Sequence, residues 1–114
     1  MTAARERALI AVVDGLEAEL RRMRLWEPVP PSQELLASPQ PFCVDTLALS
    51  QWIQWLLIPR MRRIFAGDGE LPTSSAIHPY AEDCFGHLDD QSALLLLIER
   101  FDGLIRGETA AVTH

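Results

Sequence analysis

Ser50-Gln-Trp-Ile-Gln-Trp-Leu-Leu-Ile-Pro-Arg-Met-Arg-Arg-Ile-Phe-Ala66 is the stretch of sequence that decides the fold. Six of the seven residues from Trp52 to Ile58 are hydrophobic, and a helix that is apolar on all sides is normally buried. We therefore predict a central helix here, with Ser50 as its N-cap and Gly67 as its C-terminal stop. Pro59 removes one backbone hydrogen bond inside this helix, which predicts a kink.

The predicted central helix has two different faces when its residues are placed at 100° intervals. One face has the composition of a core and contains Ile53, Leu57, Ile58, Met61, Ile64 and Phe65. The other face contains Trp52, Trp55, Leu56, Pro59 and Arg63. This second face must be covered by another part of the chain, or it must contact a partner.

Residues 25–49 are expected to cover the second face. Their prolines forbid a long helix, whereas large apolar side chains such as Trp26 and Phe42 make the segment too hydrophobic for a free linker. One or two helical turns are predicted from Ser32 to Ala37, capped by Ser32. This proline-rich connection should therefore pack on the central helix and shield its tryptophans.

Helical periodicity predicts an outer helix on each side of this region. The apolar stripes of these helices are Leu9, Val12, Val13, Leu16, Leu20 and Met23 within residues 3–24, and Leu94, Leu97, Ile98, Phe101, Leu104 and Ile105 within about residues 90–106. Thr2 is the expected N-cap of the first helix, and Asp89 or Asp90 that of the last, which should end at Gly107. Gly15 either weakens the first helix or permits close approach of a neighbour.

An all-α fold follows, because no segment alternates apolar and polar residues between turn signals. Pro79 suits the first turn of a short helix, which should end near Gly86. We predict an irregular bundle of three longer helices and one or two short ones around a kinked, buried central helix, with the proline-rich connection packed on it. Residues 1–107 should form this single domain, and residues 108–114 a frayed tail.

Composition limits the compartment and the partners. No apolar run approaches the roughly 20 residues needed to span a bilayer, and the charged amino terminus lacks a signal-peptide core, so we expect a cytoplasmic protein with no membrane contact. Cys43 and Cys84 are too few for a disulfide framework and should be reduced and buried. Residues 64–99 contain seven acidic residues and no Lys or Arg, which disfavours direct nucleic-acid binding.

No catalytic, cofactor or metal site is predicted. Cys84 and His87 have the spacing of half a zinc site, but Cys43 and His78, which would have to complete it, are isolated along the chain. A Cys/His nucleophilic pair would lack an oxyanion loop and a recognisable flanking motif. The paired acids lie at predicted helix starts, where the helix dipole explains them. We therefore expect a protein that is not an enzyme.

Two features indicate a candidate interaction surface. The second face of the central helix combines aromatic and guanidinium groups of the kind found in interface hot spots. A further tyrosine and carboxylate lie on one turn beside the stiff loop before Pro79. The candidate residues are Trp52, Trp55, Pro59, Arg60, Arg62, Arg63, Tyr80 and Glu82. The competing interpretation is structural: the tryptophans are covered by the proline-rich connection, and the second feature is a helix entry.

Four stretches of the chain carry a family resemblance: Gln40-Pro-Phe-Cys-Val-Asp-Thr-Leu47, Gln51-Trp-Ile-Gln-Trp-Leu-Leu-Ile-Pro-Arg-Met61, Leu71-Pro72 and Ile77-His-Pro-Tyr80. Together they resemble the YqcC-like family of small bacterial all-helical proteins, and the similarity extends from the first helix to about Ile105. The resemblance implies a helical fold. Through the family's genomic association with tRNA pseudouridine synthase C, it also implies an accessory protein of that enzyme. Cys84 and His87 are not part of the family pattern.

Three functions stay open at this point. The leading hypothesis is a non-catalytic interaction module whose acidic residues 64–99 meet a basic surface of an RNA-binding protein partner; a homo-oligomer is also open. The alternative is a small-ligand-binding or regulatory protein with a pocket under residues 25–49, lined by Trp26, Phe42, Trp52 and Trp55. Direct RNA binding comes third and rests on the arginine cluster at residues 60–63.

Overall fold

The computed structural model describes residues 2–108, which form helices and connecting loops. The elements are α1 (Ala3–Arg22), α2 (Gln33–Leu36), a 3₁₀ turn (Pro41–Cys43), α3 (Leu49–Trp52), a π-helical segment (Ile53–Leu57), α4 (Ile58–Phe65), α5 (Ile77–Phe85) and α6 (Ser92–Ile105). No strand occurs within these residues, and the predicted all-α class is confirmed. Residues 109–114 of the predicted tail lie outside the described range.

The central helix comprises α3, the π-helical segment and α4, and its predicted core face is buried except at Phe65, which is half-buried. Its start differs from the prediction, because the N-cap is Ala48 and Ser50 lies buried inside the first turn. The Gln51 Oε1 atom accepts a hydrogen bond of 2.8 Å from the Ala48 N–H. That glutamine satisfies a backbone donor at the helix start, so no serine cap is needed.

The distortion expected at Pro59 takes the form of the π-helical segment. The Ile58 N–H donates to the carbonyl of Ile53, five residues back rather than four. In a regular helix the ring of Pro59 would clash with the carbonyl of Trp55, and the wider turn directly before the proline relieves that conflict. The helix ends as predicted at Gly67, whose φ of 92° is the left-handed geometry that glycine adopts easily.

Helices α1 and α6 pack antiparallel. Near the start of α1, Arg5 donates through Nε and Nη2 to the carbonyl oxygens of Leu104 and Ile105 at the end of α6, both at 2.6 Å. At the opposite end, Arg22 donates to the carbonyl of Asp90, just before α6 begins, at 2.6 Å. The guanidinium of Arg5 therefore satisfies terminal carbonyls at the negative end of the α6 dipole.

Gly15 lies where these two helices approach each other. A Cβ atom added at this position would be 3.1 Å from Cδ1 of Leu97, which is tighter than ordinary van der Waals contact. The second of the two predicted roles for Gly15, close approach of a neighbour, is therefore confirmed.

The helix caps agree with prediction at α1 but not at α6. Thr2 Oγ1 accepts a hydrogen bond of 3.1 Å from the Arg5 N–H, so the predicted cap of α1 is confirmed. At α6 the N-cap position is occupied by Gln91, which makes no side-chain cap bond. The prediction of Asp89 or Asp90 was wrong because the chain turns at Asp90 with a φ of 58°, one residue before that position.

The proline-rich connection is fastened to the central helix by Gln54, the one polar residue in its apolar run. Gln54 is 3% exposed. Its Oε1 accepts from the Glu27 N–H at 2.8 Å, and its Nε2 donates to the Glu27 carbonyl at 2.7 Å. Two such bonds satisfy a buried amide at both ends, and they hold the connection against the central helix.

Asp102 of α6 caps the start of α5. Its carboxylate is 1% exposed and accepts from Ser75 Oγ at 2.5 Å, the Ile77 N–H at 3.1 Å and the His78 N–H at 2.8 Å. The next residue, Pro79, has no N–H to satisfy. The first turn of α5 is thus capped by a carboxylate from another helix.

Candidate functional site

Three aromatic rings join the two features that form the predicted interaction surface. The ring of Phe42 meets Trp52 edge-to-face at 5.0 Å and stacks on Tyr80 at 5.2 Å, with ring planes 87° and 12° apart. Phe42 comes from the 3₁₀ turn, Trp52 from α3 and Tyr80 from α5. The structure therefore places two of the candidate residues, Trp52 and Tyr80, on either side of one phenylalanine.

Phe42 reaches this position through an uncommon backbone conformation. Phe42 and Cys43 have φ values of 56° and 48°. Left-handed geometry costs roughly 1–2 kcal/mol for a residue with a Cβ atom. The aromatic contacts of Phe42 and the burial of Cys43 offset that cost, and such conformations persist where the surrounding structure determines them.

A pocket of about 530 Å³ opens beside this aromatic cluster. It lies between the central helix, the 36–43 segment, the loop before α5 and the end of α6. Its lining residues are Leu36, Ser38, Gln40, Phe42, Cys43, Trp52, Leu56, Leu57, Arg60, Arg63, Pro72, Ser74, Ser75, Ala76, Ile77, Phe101 and Ile105. The four stretches that carry the family resemblance thus meet at this pocket.

Arg60 and Arg63 are the cationic residues of the pocket. Both are exposed, and neither guanidinium has a hydrogen-bond or ion-pair partner within residues 2–108. None of the described lining residues is acidic. The two arginines are three residues apart and therefore lie on the same side of the helix.

Arg62 has a different role from its two neighbours. Its guanidinium bridges α4 to α1, with 2.8 Å from Nη1 to Glu17 Oε1 and 3.1 Å from Nη2 to Asp14 Oδ1. The bond to Arg62, followed by the bond to Arg21, lowers the pKa of Glu17, and the bond to Glu17 raises the pKa of Arg62. The candidate surface predicted from sequence is therefore divided, because Arg62 already has partners in its own chain.

Trp55 and Pro59 lie on a second, smaller pocket of about 370 Å³, together with Trp26 and Arg62. Trp55 Nε1 is 3.4 Å from Glu27 Oε1 in the proline-rich connection. The tryptophans of the central helix are half-buried, so the connection shields them in part. The single pocket predicted from Trp26, Phe42, Trp52 and Trp55 does not form, because the central helix separates these rings into two pairs.

Tyr80 and Glu82 lie on different sides of α5. Tyr80 is half-buried, and its pKa is raised by a side-chain hydrogen bond with Cys84 and by burial. Glu82 is exposed and lies 3.5 Å from Nδ1 of His78, whose Nε2 is 3.4 Å from Glu99. Glu82 and Glu99 therefore form an acidic patch around His78.

The two cysteines have separate surroundings. Cys43 is buried, with its sulfur 3.8 Å from the Leu36 carbonyl, whereas Cys84 is half-buried, so its predicted full burial was wrong. Both thiols are free. Among residues 2–108, no group of three or more His, Cys, Asp or Glu side chains is placed to hold a metal ion.

Sequence reasoning did not assign a role to several residues that build these sites. Glu27, Asp102 and the loop before α5 carry no local motif, and their partners lie at least 24 positions away along the chain. Phe101 was identified as part of the α6 stripe, but its place in the pocket depends on how α6 meets the central helix. A signal for such contacts exists only in three dimensions.

Comparison with known proteins now defines the family. The sequence profile of DUF446, whose description reads "tRNA pseudouridine synthase C", matches residues 8–104. The chain belongs to this family. An uncharacterised protein of Haemophilus influenzae is 32% identical over 83 residues, or 73% of this chain and 78% of that protein. The uncharacterised protein YqcC of Escherichia coli is 34% identical over 99 residues, or 86% and 91% of the two chains.

A solved structure of a similar protein agrees with the architecture described above. The solution NMR structure of Escherichia coli YqcC matches with a TM-score of 0.77 and 29% identity, covering 99% of this chain and 97% of that one. The predicted YqcC-like resemblance is confirmed. A longer relative, tRNA pseudouridine synthase C of Pectobacterium carotovorum, is 37% identical over 59 residues, which are 52% of this chain and 16% of that protein.

Proposed function

We propose that this protein is a non-catalytic helical interaction module that acts as an accessory protein of a tRNA pseudouridine synthase. The observation that carries the proposal is the similarity of 59 residues of this chain to a segment of a longer protein named tRNA pseudouridine synthase C. A module in one polypeptide with an enzyme is held beside that enzyme at high effective concentration. A separate chain would need to bind the enzyme to stay beside it, and we propose that this chain does so.

The use of polar side chains supports a binding role over a catalytic one. The most deeply buried carboxylate, Asp102, caps a helix, and the buried amide of Gln54 fastens a loop. Cys43 is buried against backbone carbonyls. These groups are engaged in holding the fold, which leaves the exposed ones for contact with a partner.

The proposed contact surface has an acidic and an aromatic part. Glu82 and Glu99 are 61% and 63% exposed, and their charge would steer the module towards the basic surface of a tRNA-binding enzyme. Trp52 and Tyr80, joined by Phe42, would supply apolar contact area of the kind that dominates interface energies. A partner that touches both α5 and α3 would engage the two parts at once.

The experiment is a binding titration of the purified protein against tRNA pseudouridine synthase C from the same organism. We expect a one-to-one complex at 50 mM salt that weakens at 300 mM. The double substitution Glu82→Gln and Glu99→Gln should slow association several-fold, because charge at an interface acts mainly on the association rate. The matched control is Glu34→Gln, an exposed glutamate on α2. Absence of a complex at low salt would refute the proposal.

The size of the complex, measured by light scattering, separates this outcome from self-association. A mass that equals two copies of this chain without the synthase would indicate a homo-oligomer. Charge-neutral variants that bind the synthase as fast as the parent protein would show that the acidic patch is not part of the contact.

A further inference from the structure

The pocket beside Phe42 combines an apolar base with two unpaired cations. Leu36, Phe42 and Trp52 are half-buried and supply aromatic and aliphatic surface from α2, the 3₁₀ turn and α3, while the buried Phe101 and Ile105 lie beneath them. Its volume of about 530 Å³ falls within the roughly 300–1,000 Å³ of small-molecule sites, which are mostly apolar with a few polar groups that fix orientation. Size and lining therefore fit a small organic molecule.

The arginines of the pocket define the charge of that molecule. Several other arginines of the chain are paired: Arg62 contacts Asp14 and Glu17, and Arg22 contacts Glu19. Arg60 and Arg63 have no such partner within residues 2–108, although the chain carries a net charge of −6. Two unneutralised guanidinium groups at one opening attract an anion, and their planar donors match a carboxylate or a phosphate.

The buried acid Asp102 does not neutralise Arg60 or Arg63. The carboxylate of Asp102 lies behind Ser75, which lines the pocket, and it already accepts three hydrogen bonds at the start of α5. Its charge is thus held by donors of the α5 helix terminus. The positive potential of Arg60 and Arg63 remains directed at the pocket opening.

We infer that this pocket binds a small organic anion, with an aromatic or branched aliphatic body against Phe42 and Trp52 and a single oxyanion between Arg60 and Arg63. The inference does not depend on the proposed accessory function, because it concerns the isolated chain. A carboxylate and a phosphate monoester share the required chemistry, and the experiment distinguishes them.

The test uses three matched probes: 4-phenylbutanoate, 3-phenylpropyl phosphate and the uncharged 4-phenylbutanamide. Each is titrated into the ¹⁵N-labelled full-length protein without the synthase, and amide and indole N–H shifts are followed. We expect the anions to shift the signals of Trp52, Arg60 and Ile77, and the uncharged amide to bind about tenfold more weakly because it lacks a charge-assisted bond. The tighter of the two anions identifies the preferred headgroup.

Substitutions separate charge from shape. Arg60→Gln or Arg63→Gln should lower the affinity for each anion about tenfold and leave the affinity for the uncharged probe unchanged. Leu56→Glu should abolish anion binding, because it adds a negative charge to the lining. Leu56→Gln introduces a side chain of the same shape as glutamate but without the charge, and should retain most of the anion binding. Arg7→Gln, at an exposed arginine of α1 that does not line the pocket, is the control and should change nothing.

Three outcomes would overturn the inference. The first is no shift at pocket residues with either anion at 5 mM, and the second is equal affinity for 4-phenylbutanamide. The third is an equal loss of binding in the Arg7→Gln and Arg63→Gln proteins. None of these depends on the synthase, so the accessory function and the pocket can fail separately.

Discussion

Replacement of Asp102 by alanine should remove more stability than any other single change to a charged residue in α6. The carboxylate is 1% exposed and accepts bonds of 2.5, 3.1 and 2.8 Å from Ser75 Oγ and the N–H groups of Ile77 and His78. Alanine would leave these donors at the start of α5 without their acceptor. Each buried polar group left unsatisfied costs about 1–3 kcal/mol, and the favourable interaction with the helix dipole is also lost.

The expected loss in the free energy of unfolding is about 3–4 kcal/mol, against the roughly 5–15 kcal/mol that stabilises a typical domain. Asp102→Asn should cost less, about 1–2 kcal/mol, because the amide oxygen still accepts while its NH₂ group faces a donor. Urea unfolding followed by tryptophan fluorescence and by circular dichroism measures both values. The two probes should give coincident transitions.

Asp89→Ala is the matched control for this prediction. It removes an exposed carboxylate from the loop before α6, and surface changes of this kind stay within about 0.5 kcal/mol. Both variants have the same net charge. If Asp102→Ala lowered the free energy of unfolding by less than about 1 kcal/mol, this would refute the argument that a carboxylate from α6 holds the start of α5.

Three further predictions concern α1. Gly15→Leu should lower the free energy of unfolding by about 2–3 kcal/mol, because a side chain there must displace Leu97, and urea unfolding will show it. Arg24 has a φ of 61°, so Arg24→Gly should raise the melting temperature, by the equivalent of about 0.5–1 kcal/mol. The pKa of Glu17 is lower in the folded protein than its ordinary value of 4.5, chiefly through Arg62. Its contribution is therefore present above pH 4.5 and is lost as the pH falls through the folded pKa. In Glu17→Gln the free energy of unfolding should fall less between pH 7 and pH 3 than in the parent protein, by a difference of less than about 1 kcal/mol. Thermal unfolding across this pH range measures the difference.

None of the described helices has the combination of length and apolar character that a bilayer-crossing segment needs.

Hydrophobic periodicity was sufficient to locate the helices, because each amphipathic stripe repeats locally. The buried face of the central helix, the cap at Thr2 and the stop at Gly67 all depend on residues within a few positions of one another. Such local patterns are visible without knowledge of the fold. The wrong N-caps at Ser50 and at Asp89 or Asp90 mark the limit, since several nearby residues could have served.

The contact surface was predictable in part. Grouping Arg60, Arg62 and Arg63 by sequence was reasonable because they are neighbours on one helix. The structure separates them, since Arg62 meets the acids of α1 and the other two face the pocket. Which arginine is neutralised depends on the direction of α1, and no residue near position 60 encodes that direction.

The sequence by itself determined that this protein is helical, that residues 50–66 form its centre and that prolines prevent the 25–49 segment from forming a long helix. Tertiary structure alone decided that Gln54 fastens this segment, that Asp102 caps α5 and that Phe42 joins Trp52 to Tyr80. The reason is physical: helix formation depends on interactions three or four residues apart. A pocket or a buried polar contact instead requires groups brought together from distant parts of the chain.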